Sequence, residues 1–203
     1  LVLGADKKRL SKRHAATSLE EYKNEGYLDS AILNTLARLG WSKGEKEVFY
    51  LDDLIKDFEI TEVQKAGAIF DMTKLDWLNT QHLSNLSLVE FKLHISPFLS
   101  SIDINLDDHP KSDLLIDAMR SSESNLVSIA NALIPYFKGV TEYNPKAVKK
   151  FLADSSNMLS SVADVLESLE DWDEENIDLA LKNFQSSSNL PTPKVNQPIR
   201  IAV

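Results

Sequence analysis

The sequence predicts an all-α protein in two helical lobes, with a little extended structure at its termini. Three observations carry that prediction. Apolar residues recur at three- and four-residue spacing after residue 16, as in Ile32, Leu33, Leu36 and Leu39, and again in Leu126, Ile129, Ala130, Leu133 and Phe137. Helix-opening signals precede such runs, among them Ser18 with Glu21 and Asn144 followed by Pro145. Between the two groups, Ile102–Pro110 mixes Asp with apolar residues and reads as a linker, so the boundary is placed at 101/102.

In order along the chain, Leu1-Val2-Leu3 reads as a short strand entering the Gly4-Ala5-Asp6 turn. A capping box at Ser18 and Glu21 opens a helix to about Asn24, and Asp29 is expected to cap a second that Gly40 ends. Short helices are expected at 51–57 and 61–66. Thr73 is expected to cap a helix carrying Leu75, Leu78, His82 and Leu83. Leu88, Phe91, Ile95, Phe98 and Ile102 mark a helical segment interrupted by Pro97. Helices over 111–121 and 123–137 follow, then one from Asn144-Pro145 to about Leu169, and a last one capped by Asp173. The Ser- and Pro-rich SSSNLPTPKVNQP reads as a loop leading to extended Ile199–Val203. Both ends read as cut, so the expectation is a piece of a longer protein.

Composition narrows the chemistry. The 203 residues are 43% hydrophobic and 26% charged, a globular balance large enough for a buried core. With no cysteine there is no disulfide framework, thiolate nucleophile or Cys-ligated metal. No apolar run reaches the roughly 20 residues of a membrane span, and the N-terminus lacks the secretory order of charge and apolar core. The formal net charge of −9 argues against nucleic acid as a total, but its layout argues otherwise. Residues 7–13, KKRLSKR, hold five bases, whereas 151–181 carries nine acids and no Lys or Arg.

Arg9-Leu10-Ser11-Lys12-Arg13 is the segment with chemistry in it. A basic loop can close over a triphosphate, and its lysine offers a compact charge to oxygens that gain charge as pyrophosphate leaves. The same pentapeptide also fits a plain solvated basic loop. His14 either faces the nucleotide or is structural. His82 reads as a packing residue, and His94 and His109 lack the paired spacing of metal ligands. Trp41 and Trp77 read as core, and the acidic runs as solvated helix faces.

Context favours the nucleotide reading. The run KKRLSKRHAATSLEEYKNEGYLDSAILNTLARLGWSKG resembles the signature-loop region of class I glutamyl-tRNA synthetases, K-L-S-K-R-H-G-A-T-S-V followed by E-Y-x-x-x-G-Y-L-P-x-A-L-x-N-Y-L-A-x-L-G-W. Phe58-Glu59-Ile60 with Val63, Ala68-Ile69-Phe70-Asp71, Lys74-Leu75-Asp76-Trp77-Leu78-Asn79 and the C-terminal Gln197-Pro198-Ile199-Arg200-Ile201-Ala202-Val203 resemble further blocks in the family's order.

The resemblance implies a KMSKS-type loop at Arg9, Leu10, Ser11, Lys12 and Arg13. Lys12 would be catalytic, stabilising the transferring phosphates of ATP, with Arg9 and Ser11 binding the nucleotide. Arg9 stands where the family has its first lysine, and Ala15 where it has glycine. The resemblance further implies a helical stem-contact domain over 1–101 and a helical anticodon-binding domain over 102–203. The catalytic domain would lie outside this chain, which alone would be inactive. ATP with Mg2+ would be bound mainly by that missing domain, with no metal held here. The implied partners are tRNA(Glu), with tRNA(Gln) as a second candidate, plus glutamate and ATP in a monomeric cytoplasmic enzyme. The competing expectation is a stand-alone helical interaction module with a basic N-terminal loop.

Overall fold

The structure is a computed structural model describing residues 2–4, 7–8, 18–140 and 142–202. It forms two compact units, Leu1–Gly139 and Val140–Val203. Among the described residues there are eleven α-helices and one two-stranded sheet.

The first unit opens with strand β1 (Val2–Leu3), paired in parallel with β2 (Ala68–Ile69) in the register Val2 to Ala68 and Leu3 to Ile69. Helix α1 (Leu19–Asn24) begins at the expected capping box, with Glu21 N–H donating to Ser18 Oγ and Ser18 N–H donating to the Glu21 carboxylate. The second helix, α2 (Asp29–Arg38), differs in detail from the expectation. Its N-cap is Leu28, and Asp29 is the first helical residue, an acid in the first turn where the helix dipole favours it. Helix α3 (Leu51–Asp57) matches its expected bounds. The expected helix at 61–66 is only a 3-10 turn at Ile60–Glu62; Ala68–Ile69 follow almost at once and are taken by the sheet.

Helix α4 (Met72–Asn85) is capped by Asp71, whose carboxylate accepts from Thr73 N–H, so Thr73 is the donor rather than the cap. Helix α5 (Leu88–Ser101) runs through Pro97 unbroken. The proline forfeits a bond to the Leu93 carbonyl, but Leu93 is 74% exposed and water can take that oxygen. Helices α6 (Ser112–Ser122) and α7 (Leu126–Lys138) complete the unit. The stretch expected as a linker, 102–110, is part of its core: Ile104 is buried there.

Three clusters hold this unit. The largest draws Leu28 and Ala31 from α2 and its start, Leu83 from α4, three residues of α5, Ile116 from α6 and four of α7. A second gathers Tyr22, Tyr27, Ile32, Phe70 and Leu75, with Val2 and Leu39 packed against it. The third joins Trp41, Phe49 and Leu54.

In the second unit the long helix expected from 144 to 169 is divided. Asn144 caps α8 (Pro145–Ala147), which passes into a π-helical turn at Val148–Leu152. The chain then breaks and restarts as α9 (Ser156–Glu167). The break falls at 153–155, where the side chains of Asp154 and Ser155 compete with the helix for backbone partners. Ser155 Oγ donates to Phe151 O at 2.6 Å. Asp173 caps α10 (Glu174–Ser188), as expected, but α10 is not the last helix. Thr192–Ala202 forms α11 where an extended end was expected. Asn189, in left-handed conformation (φ 53°), ends α10, and Pro193 falls in the first turn of α11, where no amide bond is lost. Val195 and Pro198 are buried, so packing overrides the extended bias of the prolines. The α-helical class is borne out; among the described residues the β-pairing is the β1–β2 pair and an isolated bridge between Lys43 and Lys46.

Candidate functional site

The five residues of the sequence-predicted loop, Arg9, Leu10, Ser11, Lys12 and Arg13, lie outside the described residues, as does His14. What the structure describes is the chain on either side of that segment. Before it, β1 hydrogen-bonds to β2, with Phe70 N–H donating to Leu3 O at 2.8 Å. Gly4 and Lys7-Lys8 form a tight turn in which Gly4 N–H donates to Lys8 O and Lys7 N–H to Gly4 O, both at 2.9 Å. After it, the capping box fixes the start of α1 at Ser18. The two flanks share one aromatic base: Tyr22 lies 5.8 Å from both Tyr27 and Phe70, and Val2 packs against the same cluster. Tyr27 donates its hydroxyl to Asp76 at 2.6 Å, and burial, with Asp76 beside it, pushes the Tyr27 phenol well above its ordinary value. It therefore remains a donor at any physiological pH.

Behind this base stand two buried asparagines that spacing alone does not mark. Asn79 Oδ1 accepts from Leu28 N–H at 2.9 Å, and its amide donates to Ser124 O at 2.7 Å. One side chain of α4 thus satisfies the backbone N–H of the α2 N-cap residue and grips the α6–α7 connection. Asn34 Oδ1 accepts from Phe49 N–H at 2.8 Å and lies 3.1 Å from His82 Nε2, while its amide donates to Glu47 O. With Oδ1 accepting, His82 carries its proton on Nε2, which leaves Nδ1 buried without a partner. His82 is the packing residue expected, and burial holds its pKa below the ordinary value.

Gly26 explains the glycine of the resemblance motif. It sits at φ +86°, and its carbonyl accepts from Leu126 N–H at 3.0 Å. A Cβ there would lie 2.7 Å from Val127 N, so only glycine allows this approach to the start of α7. Arg120 also has a structural role: it donates to Leu86 O at 2.9 Å and pairs with Asp117.

The tryptophans divide. Trp41 is core, with its indole N–H donating to Glu62. Trp77 is 40% exposed, contrary to the expectation, and the Lys74 ammonium lies 4.1 Å from the centre of its ring. The helix stripe around it is apolar, but Trp77 falls between the buried Leu75 and Leu78 and points off that face. Lys74 also pairs with Glu47, and this contact holds the Glu47 carboxyl below its ordinary pKa. In the second unit, Lys146, Lys149 and Lys150 are exposed on α8 and the π-helical turn, whereas all nine acids of 151–181 are exposed on and around α9 and α10. Among the described residues no cluster of His, Asp and Glu is placed to hold a metal ion.

Residues 88–203 match the family model described as anticodon binding domain, and residues 1–77 match that of tRNA synthetases class I (E and Q), catalytic domain. The chain belongs to the anticodon-binding family, and its relatives are glutamate–tRNA ligases, as the sequence resemblance implied. Over its whole length it is 36% identical to Glutamate–tRNA ligase 1 of Alkalilimnicola ehrlichii and 34% identical to Glutamate–tRNA ligase 2 of Halorhodospira halophila, covering 43% of each. The fold matches a crystal structure of a glutamate tRNA ligase from Elizabethkingia meningosepticum, with TM-score 0.78 and 27% identity over 100% of this chain and 44% of that one. It also matches the enzyme of Elizabethkingia anophelis, with TM-score 0.73 and 27% identity over 97% of this chain and 42% of that one. The chain thus spans less than half the length of the relatives it matches.

Proposed function

We propose that this chain is the tRNA-binding C-terminal portion of a glutamate–tRNA ligase, which couples ATP cleavage to attachment of glutamate to its tRNA. One observation carries the reading: the two family matches follow each other along a single chain, and the relatives align with all of it. In this reading residues 1–101 supply the nucleotide loop and the stem contacts, and 102–203 the anticodon contacts. The whole protein works as a monomer in the cytoplasm on tRNA(Glu), with tRNA(Gln) as a second substrate to be tested.

Lys12 acts on the phosphates of ATP, and Arg9 and Ser11 bind the nucleotide. ATP arrives as its Mg2+ complex, held mainly by the catalytic portion. The cationic make-up of residues 7–13 suits a triphosphate. Long-range attraction of tRNA comes from locally basic surface, so binding weakens with salt.

Two measurements test this. In the intact protein, with tRNA present, Lys12→Ala should lower ATP–pyrophosphate exchange by about two orders of magnitude or more, the size of effect seen on removing one transition-state contact. Full exchange by that variant would refute the assignment of Lys12. Filter binding of tRNA(Glu) with substituted anticodons should show weaker binding than the native sequence; equal affinities would refute anticodon reading. A stand-alone interaction module would show neither effect, and no observation favours it over the ligase reading.

A further inference from the structure

Over 140–203 acids outnumber bases ten to six, yet three of the six bases, Lys146, Lys149 and Lys150, stand within one stretch of five residues. That stretch is helical throughout, because α8 runs directly into the π-helical turn at Val148–Leu152. Spacings of three and four place the lysines on one face, and all three are exposed. Val148, Phe151 and Leu152 are half-buried, and their turn packs against α11. Tyr143 ties the same segment to the end of α11, donating its hydroxyl to Ala202 O at 3.4 Å. Asn144 accepts from Lys146 N–H at 3.0 Å and from Ala147 N–H at 3.2 Å. With those amides taken, the surface offers its cationic side chains and not the helix end.

Folding gives no reason for this grouping. Like charges three and four residues apart repel along a helix, and Lys146 stands at the positive end of the dipole. Among the described residues no carboxylate pairs with any of the three, whereas Lys182 of the same unit is paired with Asp178. Lys150 has one ring contact, its ammonium 4.9 Å from the centre of Phe151. A π-helical turn is itself uncommon and recurs at functional sites. Three unpaired cations on a packed segment suit an extended anion that meets them together, and the acids of 164–178 repel such an anion from the stretch they occupy. We propose that the face formed by Lys146, Lys149 and Lys150 grips the sugar–phosphate backbone of tRNA, adding affinity without reading bases. This rests on the tRNA-binding reading above and supplies it with a contact surface in the second unit.

Filter binding of the full chain over a series of salt concentrations tests this, with tRNA(Glu) and an anticodon-substituted tRNA(Glu) as probes. Combining Lys146→Gln, Lys149→Gln and Lys150→Gln removes charge at exposed positions, and far-UV circular dichroism checks that the helices remain. The triple variant should bind both tRNAs about tenfold or more weakly, by the same factor. The slope of log affinity against log salt should become shallower by about 2–3, at roughly 0.7–0.9 per phosphate contact. Should the triple variant unfold, the three single variants carry the test, each lowering the slope by roughly 0.7–0.9. Arginine at the same three positions should keep both affinity and slope. The proposal is overturned by an unchanged slope, by arginine failing to substitute, or by a loss that differs between the two tRNAs, since bases would then be read. It is overturned too if the glutamine variant keeps tRNA binding and loses binding to a polyglutamate peptide, which would make the partner an acidic protein. Anticodon preference with an unchanged slope would refute this surface and leave the function proposed above standing. A lysine-dependent slope with no anticodon preference would do the reverse.

Discussion

Asn79 serves two backbone groups from separate segments, Leu28 N–H and Ser124 O, and is itself fully buried. Asn79→Ala strands both, so it should destabilise the first unit by about 2–4 kcal/mol, read as a lower urea midpoint. Gly26→Ala combines a left-handed backbone with a contact under 3 Å to the start of α7, and a loss of roughly 2 kcal/mol or more is expected by the same measurement. His82 carries a pH dependence whose sign is fixed. Its folded pKa is depressed, so the unfolded chain takes up the proton first as pH falls below about 6.5. Stability due to His82 is therefore present above that value and lost below it, by at most about 1.4 kcal/mol per pH unit. Urea melts of the protein and of His82→Gln between pH 7.5 and 5.5 should diverge in slope, and parallel slopes would refute the assignment. These three residues show what a sequence can and cannot disclose. Gly26 was visible through the motif it completes, although its partner, the start of α7, is a hundred residues away. Asn34 and Asn79 also stand in the quoted motif blocks, but their hydrogen-bonding roles are not legible locally, because each serves backbone groups supplied by another segment.

Elements divide by whether their cause is local. Helix caps are local chemistry, and the capping box at Ser18 and the Asn144-Pro145 N-cap open helices where the residues say they should. Replacing Ser18 by Ala removes the acceptor of one orphan amide and should cost about 1 kcal/mol of first-unit stability, with Ser18→Gly losing less. Helix α11 is the opposite case. Its prolines argue for extended chain, and it is helical because Val195 and Pro198 find a core against the rest of its unit. Val195→Asp should unfold the second unit and leave the first folded, which two-dimensional NMR of the variant would show. The segment Arg9–Arg13 illustrates a different boundary: its charge and motif can be read from the sequence, whereas the pairing of the strand that precedes it depends on Ala68–Ile69, far along the chain.

For the whole molecule, Gly139 ends α7 in left-handed conformation, and Val140, Glu142 and Tyr143 after it are exposed. Brief proteolysis should nick first within 139–144 and release two fragments, of which the larger keeps its helical signal. The core of the first unit carries a consequence for how such proteins are inherited. Residues matched to the catalytic model, Leu28 and Ala31, are interleaved with Phe91, Ile95, Ile129 and Leu133 from the stretch matched to the anticodon model. A graft between ligases cut near residue 80 would therefore part side chains that pack in one core, and recombinants made there should aggregate. A crossover at 139 exchanges the distal unit with that core undivided, making it the natural seam for shuffling.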